Sequence, residues 1–408
     1  MAASFAGKNV LLGVTGSIAA YKTADWARAL GREGASVRVV MTGAAGRFVT
    51  PLTFAALTGH EVHADMFAPA GAETIPHIRL ARESDLVLIA PATATTIARL
   101  ANGLADDLLA AIVLATRAPV VVCPAMNCAM YQHPATGSNF SRLAGYGYRL
   151  VTPEAGAMAC GEEGPGRLPE WDAVRESLLA ALSPQDLAGR RFLVTAGPTH
   201  EPLDPVRYLG NRSSGRMGYA LARTAHRRGA DVILISGPTH LPSPPGVETI
   251  RVRTAAEMHR AVLDRLGGTA AVVKAAAVSD FRPASCADQK IKKSGPPAAL
   301  PLAANEDILA GLGRMKKERP GFPLLVGFAA ESRNHLAEGR RKLEAKNLDL
   351  IAVNDILATD AGFGAETNRL LLLDRSGRAE ELPLLSKEEA ADRLWDRVAS
   401  LLASSCQS

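Results

Sequence analysis

The chain has 408 residues, 47% hydrophobic and 21% charged, the balance of a globular protein of two ordinary domains and not of a disordered, fibrous or single-core one. Its net charge of +5 is mildly basic, but Lys and Arg are dispersed and aromatics make up only 5%, which excludes the stacking platforms of a nucleic-acid binder and suits small phosphorylated ligands better. Five cysteines without a CxxC pair frame neither a disulfide scaffold nor a zinc site, so a reducing cytoplasm is the expected setting, and no apolar run reaches transmembrane length.

From the N-terminus, Asn9–Val14 predicts a buried strand, and Thr15-Gly16-Ser17-Ile18-Ala19-Ala20-Tyr21-Lys22 a turn into a helix reaching about Leu30. Gly13 and Gly16 interrupt this apolar stretch and no cleavage pattern follows, so it reads as strand and loop. Such a turn offers a phosphate free backbone N–H groups and the positive end of the helix dipole. A tight turn without a ligand has the same sequence. The next strand, Ser36–Met41, runs into Thr42-Gly43-Ala44-Ala45 with no acid to hold a dinucleotide ribose. That argues against NAD and leaves a mononucleotide such as a flavin open.

A third strand, residues 85–90, enters Pro91-Ala92-Thr93-Ala94-Thr95-Thr96 and a helix followed by Asp106-Asp107; a fourth, residues 119–122, ends in Cys123-Pro124-Ala125-Met126-Asn127. Ligands of open parallel sheets sit beyond the carboxyl ends of the strands, so these loops are expected to converge on one crevice. His77 is either a general base or a loop histidine bonded to backbone. Asn127 either orients a carboxylate or caps a turn. Cys160 lies among four glycines in residues 154–167, a segment able to close over a ligand and carry the thiol with it. So glycine-rich a stretch is a poor place for the alternative, an inert buried cysteine.

The ordered set TGSIAAYK, APATATT, LANGLADDLL, PAMN with Met130 and Pro134-Ala135-Thr136, and ACGEEGPGR resembles the flavin-dependent cysteine decarboxylases, and among them the phosphopantothenoylcysteine decarboxylases, over residues 7–182. The resemblance implies FMN held by Gly16, Ser17 and Ile18, by Thr42, and by the turn Pro91, Ala92 and Thr93. It implies that His77 is the active-site histidine, that Asn127 holds the substrate carboxylate and that Cys160 is the acid on a flap. In the implied chemistry the thiol-bearing carbon gives a hydride to the flavin and carbon dioxide leaves from the thioaldehyde. His77 assists thiol deprotonation, and Cys160 protonates the enethiolate as the hydride returns. The family's strand-end motif usually carries asparagine where this chain has Thr95, which keeps an oxygen and loses the amide donors.

After a short polar connector, residues 183–190, the pattern begins again. Phe192, Leu193 and Val194 lead into Thr195-Ala196-Gly197-Pro198, and a Ser-Ser-Gly turn opens a helix near Met217. One complete set of strand and helix signals precedes this point, so the chain is expected to divide into residues 1–189 and 190–408, each with its own site. Asp231–Ser236 is again a strand without an acid after it. Strands over 247–252 and 270–278 follow, the latter ending Ala277-Val278-Ser279-Asp280-Phe281. The basic loop Asp288-Gln289-Lys290-Ile291-Lys292-Lys293-Ser294-Gly295 is either a solvated face or a polyphosphate clamp. Residues 324–326 run into Gly327-Phe328-Ala329-Ala330-Glu331, and a helix carries Lys342 and Lys346 one turn apart, able to reach one anion or to stand as a surface pair. Strands over 348–353 and 370–373 and a helix over 387–402 complete a second sheet. The expected fold class is α/β: two doubly wound, mostly parallel-sheet domains in tandem, Rossmann-like or flavodoxin-like.

TAGPTHEPLDPVRYLGNRSSGRMG, AAAVSDF, KIKKSG, GFAAE and KNLDLIAVND look like the phosphopantothenate–cysteine ligases over about residues 190–402. The fused order is similar to the bacterial bifunctional coenzyme A biosynthesis proteins, whose ligase uses CTP. By that resemblance Lys274, Ala275, Ala276 and Asp280 contact the nucleotide, with Asp280 on the cytidine. Lys290, Lys342 and Lys346 neutralise the triphosphate, Phe328 lines the pocket, and the backbone of Glu306, Asp307, Ile308 and Leu309 borders it. Asn211 matches the residue acting on the acyl-cytidylate, formed when the 4′-phosphopantothenate carboxylate attacks the α-phosphate of CTP and pyrophosphate leaves. Mg²⁺ arriving with the triphosphate offsets charge in that step. His200 and Leu209-Gly210 depart from a commoner arginine and Ile-Thr pair. A homo-oligomer is also implied, trimers for the decarboxylases and dimers for the ligases. Two rivals stand beside this reading. A nicotinamide oxidoreductase is disfavoured by the missing acids, and a catalytically silent regulatory relative by the intact His77, Asn127 and Cys160.

Overall fold

The apolar run of β1 (Asn9–Val14) is buried beyond its first residue, as a parallel strand covered on both faces must be. The computed structural model describes residues 4–67, 75–159, 161–292, 299–331, 333–355 and 367–405, and the chain divides between Ser183 and Pro184 into two units. In the first, β1 is followed by α1 (Ala20–Arg32), β2 (Ser36–Met41), α2 (Pro51–Thr58), β3 (Val62–His63), α3 (Pro76–Glu83), β4 (Leu86–Ala92), α4 (Ala94–Asn102), α5 (Leu108–Ala115), β5 (Val120–Pro124), α6 (Cys128–Gln132), α7 (Pro134–Gly145) and β6 (Arg149–Leu150). A hairpin of β7 (Glu154–Ala157) and β8 (Glu163–Arg167) and the helix α8 (Trp171–Leu182) complete it.

The sheet order is β3-β2-β1-β4-β5-β6, parallel throughout, the 3-2-1-4-5-6 order of doubly wound nucleotide-binding sheets. Successive strand residues alternate between faces. Val10, Leu12, Leu86 and Leu88 therefore pack with Trp26, Leu30, Val174 and Leu178, while Leu11, Val87 and Ile89 pack with Ile97, Leu100 and Leu109 on the other side. Strand order reverses between β1 and β4, which opens a crevice at their carboxyl ends.

The second unit takes in the expected connector. Leu187 is fully buried in its core, and Gln185 Nε2 donates to the Arg227 carbonyl at 2.9 Å. It runs β9 (Arg191–Ala196), β10 (His200–Pro202), β11 (Tyr208–Gly210), α9 (Arg216–Arg227), β12 (Asp231–Ser236), β13 (Glu248–Arg251), α10 (Ala255–Asp264), β14 (Thr269–Lys274), β15 (Phe281–Pro283), β16 (Leu302–Ala304), α11 (Ile308–Glu318), β17 (Leu324–Glu331), α12 (His335–Ala345) and β18 (Leu350–Asp355). The chain ends with β19 (Thr367–Asn368), β20 (Leu370–Asp374), β21 (Ala379–Glu381), β22 (Leu385–Ser386) and α13 (Lys387–Ser405). The sheet β13-β12-β9-β14-β17-β18-β20-β21 repeats the first unit's order and adds two antiparallel strands at one edge.

The predicted strand over 270–278 ends early, at Lys274. Beyond it the backbone leaves the sheet to run along the loop after β9, with Ala275 N donating to Thr195 O at 3.2 Å and Ala277 N to Gly197 O at 2.9 Å. Among the described residues no helix is long and apolar enough to cross a membrane.

Candidate active sites

The loops after β1, β2, β4 and β5 enclose a cavity of about 660 Å³ lined by Gly16, Ser17, Thr42, Thr93, Thr95 and Met126, among others, within the size range of small-molecule sites. Thr15 ties two of these loops together: its hydroxyl donates to Pro91 O at 2.5 Å and accepts from Thr93 N at 3.1 Å. Gly16 is required by space, because a Cβ there would stand 2.5 Å from the Ala44 Cβ. Helix α1 begins without a side-chain cap, and its first turn is closed by the backbone, with Ala20 N donating to Ser17 O at 3.0 Å and Lys22 N to Ala19 O at 3.1 Å. Thr93 caps α4 by accepting from Thr96 N at 3.3 Å. Pro91 and Ala92 are buried in β4 and support the turn, whereas exposed Thr95 faces the cavity.

Arg99 and Asp107 also line this cavity, paired at 3.1 Å, with Asp107 capping α5 through Ala110 N at 2.8 Å. Neither figures among the predicted site residues. An Asp directly before the run Leu-Leu-Ala-Ala-Ile-Val is a legible helix start, but its place at the cavity is a tertiary fact.

Ile18 and Asn127 belong to a neighbouring cavity of about 480 Å³, between the start of α1, the loop after β5 and the β7–β8 hairpin. The hairpin is seated by Met126 N, which donates to Gly166 O at 2.9 Å; a Cβ on Gly166, whose φ is +137°, would lie only 2.3 Å from Met126 O. Asn127 makes side-chain hydrogen bonds within the chain. Its Oδ1 accepts from Ala129 N at 2.9 Å as a helix cap, and its Nδ2 donates to the Glu162 carboxylate at 2.5 Å. Cys160 lies outside the described residues, between Ala159 and Gly161 of the hairpin connection. His77 is the second residue of α3. Its Nδ1 is buried with no hydrogen-bond partner among the described residues, and it lines neither cavity.

In the second unit the loops after β9, β11 and β14 are laced together. Thr195 Oγ1 accepts from Ala276 N at 3.2 Å and Thr199 Oγ1 from Ser279 N at 3.0 Å. Asn211 Nδ2 donates to Val278 O at 3.0 Å and Ala277 O at 3.4 Å. Asn305 closes the group, its Nδ2 reaching Ser279 O at 2.9 Å and its N–H Asp280 O at 2.8 Å.

Lys274, at the end of β14, is pulled down to about 8 by burial and the nearby Lys346 charge, against the opposing pull of Asp307 and Asp280. Asp307 caps α11 through Ala310 N at 3.1 Å and pairs with Lys346 at 2.7 Å. Burial pushes its carboxyl up, but Lys346, the Ala310 N–H and the Lys274 charge outweigh that and leave it below the usual range. These residues form one coupled cluster. Lys342 pairs with a different acid, Glu331, at 2.5 Å, and Lys346 is the C-cap of α12, not a residue within it, so the two lysines do not share a partner.

Ile308 and Leu309 are buried beneath this cluster's edge, and half-buried Phe328 packs against the core. Glu306 points outward, 2.9 Å from His259 Nδ1. Lys290 is exposed on a loop held by Asp204, which accepts from Ile291 N at 3.1 Å, and by Arg207, which donates to Ile291 O at 2.8 Å. Lys293, Ser294 and Gly295 lie outside the described residues. His200 stacks on Tyr208 at 3.6 Å between ring centroids. Among the described residues no three His, Cys, Asp or Glu side chains are gathered as a metal site.

Two doubly wound domains, one with a hydroxyl-lined cavity at its switch point and the other with a lysine–aspartate cluster at the matching place, define a two-site α/β enzyme. The profile of the Flavoprotein family matches residues 3–183, and that of the DNA/pantothenate metabolism flavoprotein C-terminal domain matches residues 187–402. The chain is 46% identical over 390 residues to the coenzyme A biosynthesis bifunctional protein CoaBC of Vibrio cholerae, covering 95% of this chain and 97% of the relative. It is 46% identical over 398 residues to that of Bacillus subtilis, with 97% of each covered.

The chain belongs to the coenzyme A biosynthesis bifunctional protein family. It is a flavoprotein enzyme with phosphopantothenoylcysteine decarboxylase and phosphopantothenate–cysteine ligase activities, which leaves the nicotinamide oxidoreductase and silent-relative readings unsupported. Solved structures similar to it include the C-terminal domain of a coenzyme A biosynthesis bifunctional protein CoaBC (38% identity, TM-score 0.46, 54% of this chain and 99% of that one). A PPC decarboxylase mutant complexed with pantothenoylaminoethenethiol is 30% identical, with TM-score 0.38, over 42% of this chain and 95% of that one.

Proposed function

We propose that the two activities divide between the two halves. Residues 1–189 decarboxylate 4′-phosphopantothenoylcysteine to 4′-phosphopantetheine with FMN, and residues 190–408 join 4′-phosphopantothenate to cysteine with CTP through an acyl-cytidylate. The observation that carries the first assignment is the cavity at the β1–β4 switch point, whose floor tolerates no side chain at Gly16. A helix start, hydroxyls and a glycine at close approach suit a phosphorylated mononucleotide. Gly16, Ser17, Ile18, Thr42 and Thr93 would hold FMN over the Pro91-Ala92 turn, and the bound flavin supplies reversible hydride acceptance.

The Asn127 amide orients the substrate carboxylate in the adjoining cavity, Cys160 delivers a proton from the hairpin, and His77 serves as base. Because His77 lines neither cavity of its own chain, this reading favours a site completed by a second copy, in a homo-oligomer with trimeric decarboxylase and dimeric ligase parts. In the ligase half Asp280 takes the cytidine. Lys274, Lys290, Lys342 and Lys346 offset the charge of the triphosphate, which brings Mg²⁺ with it. Ala275, Ala276, Phe328 and the Glu306–Leu309 backbone shape the pocket, and Asn211 acts on the acyl-cytidylate. The setting is cytoplasmic.

Mass spectrometry of products from phosphopantothenate, cysteine, CTP and Mg²⁺ tests the whole reading. Phosphopantetheine and CMP together are expected. Accumulation of the acylcysteine would remove the decarboxylase assignment, with Thr95 as the first residue to revert, and absence of CMP would remove the ligase assignment.

A further inference from the structure

The 480 Å³ cavity beside Asn127 has mostly apolar walls, among them Ile18, Met126, Met158 and Leu168, and its charged lining side chains are Lys22 and Arg167, both cations. Lys22, in the first turn of α1, has Glu170 as its ion-pair partner at 3.5 Å, and that carboxylate is 65% exposed, a weak and readily exchanged contact. Arg167 ends β8 and lays its guanidinium on the backbone of Gly156, where a Cβ would stand 2.6 Å from Nη1. Two cations on separate structural elements thus line one open cavity, together with the Asn127 amide. An apolar arm with a dianion suits such a space, and a phosphomonoester meets a lysine and an arginine through charge-assisted hydrogen bonds.

We infer that Lys22 and Arg167 form the seat for the phosphate of the decarboxylation substrate, so that this cavity selects the phosphorylated over the dephosphorylated acylcysteine. The inference rests on the proposed reading that Asn127 holds the substrate's carboxylate in the same cavity. The cofactor carries a phosphomonoester too, so flavin retention must be read alongside turnover.

The test compares kcat/KM for 4′-phosphopantothenoylcysteine and for pantothenoylcysteine in the full-length flavin-loaded protein and in its Lys22→Gln and Arg167→Gln forms, with flavin content measured by absorbance. The wild-type protein is expected to prefer the phosphorylated substrate, and each substitution to shrink that preference about tenfold, the usual effect of losing one charge-assisted hydrogen bond, at unchanged flavin content. A wild-type protein without preference overturns the inference with no variant needed. So does a preference that survives both substitutions. Loss of flavin from either variant also overturns it and gives the seat to the cofactor's phosphate. Asn127→Ala is measured in parallel: if it leaves both substrates' kcat/KM untouched, the cavity is not the decarboxylation site, a failure distinct from that of the phosphate seat.

Discussion

The side-chain amide of Asn127 donates to the carboxylate of Glu162 at 2.5 Å, and the Cys128 thiol donates to the same oxygen at 3.3 Å. A residue of the hairpin connection thus occupies the donor that the proposed function assigns to the substrate's carboxylate. An incoming carboxylate has to displace it. Glu162→Ala is therefore expected to lower KM for decarboxylation about threefold, the scale of one exchanged hydrogen bond. It should also speed hydrogen exchange in β7–β8. The Glu162 hydrogen bond is the chief cause holding the Cys128 thiol above its ordinary range, so the same variant should alkylate faster at Cys128, followed by peptide mass spectrometry. A raised KM with unchanged alkylation would show that Glu162 is no competitor.

Gly16 offers a stricter test of the proposed flavin cavity. A methyl group at this position would collide with the Ala44 Cβ at 2.5 Å and crowd the Ala44 backbone carbon at 3.2 Å, so the loops after β1 and β2 must part. Overpacking of this kind costs about 1–3 kcal/mol. Gly16→Ala is expected to purify with about a tenth or less of the wild-type flavin, read from visible absorbance, while far-UV circular dichroism keeps its α/β signature. Full flavin occupancy would mean that the cofactor does not touch this loop.

Much of this was legible in sequence because parallel strands are continuous apolar runs: β1, β2 and β12 fall where the composition places them. The predicted strand over 270–278 overruns β14 for the same reason, since Ala275, Ala276 and Ala277 stay apolar while their N–H groups go to Thr195 and Gly197 at the end of β9. The helix pattern runs through Lys346, but α12 stops one residue before it, and Asn347 takes a left-handed φ of 53° while its Nδ2 donates to Gly313 O at 3.0 Å. The acids that pair with Lys342 and Lys346, and the cavity faced by Lys22 and Arg167, arise only when distant elements pack. No local pattern announces them.

Lys274 gives the proposed ligase half a pH signature. Burial holds it down to about 8, so the free enzyme loses this charge as pH climbs through that value, where an ordinary lysine keeps its charge to about 10.4. On the proposed reading that Lys274 offsets the charge of the triphosphate, KM for CTP should rise above pH 8 by up to about tenfold per pH unit, and Lys274→Met should flatten the profile. The stability effect has the opposite sign. Between about 8 and the ordinary 10.5 the unfolded chain binds this proton more than the folded chain does, so unfolding free energy rises with pH across that window. Below it both states are charged and the burial penalty is fully present. Denaturant titrations at pH 7.5 and 10 should show the rise in wild type and a smaller one in Lys274→Met.

The last prediction concerns what holds the second unit together. Arg397 of α13 meets Asp374 at the end of β20 at 2.5 Å, with side chains 7% and 5% exposed. The other Asp374 oxygen accepts from Ser376 N, Ser376 Oγ and Arg378 N at 2.9, 2.6 and 3.2 Å, which fixes the turn into β21. Arg397→Met leaves the Oδ2 side of a buried carboxylate without its cation, a loss of about 3–5 kcal/mol, and should lower the denaturant midpoint accordingly. Asp374→Leu alone strands the arginine and loosens the turn, so it should cost at least as much. Because a buried pair gains little over well-packed apolar groups once desolvation is counted, the double variant should recover part of the first loss, and that coupling is read from the double-mutant cycle. Strict additivity would mean that the two side chains act on stability independently despite their contact.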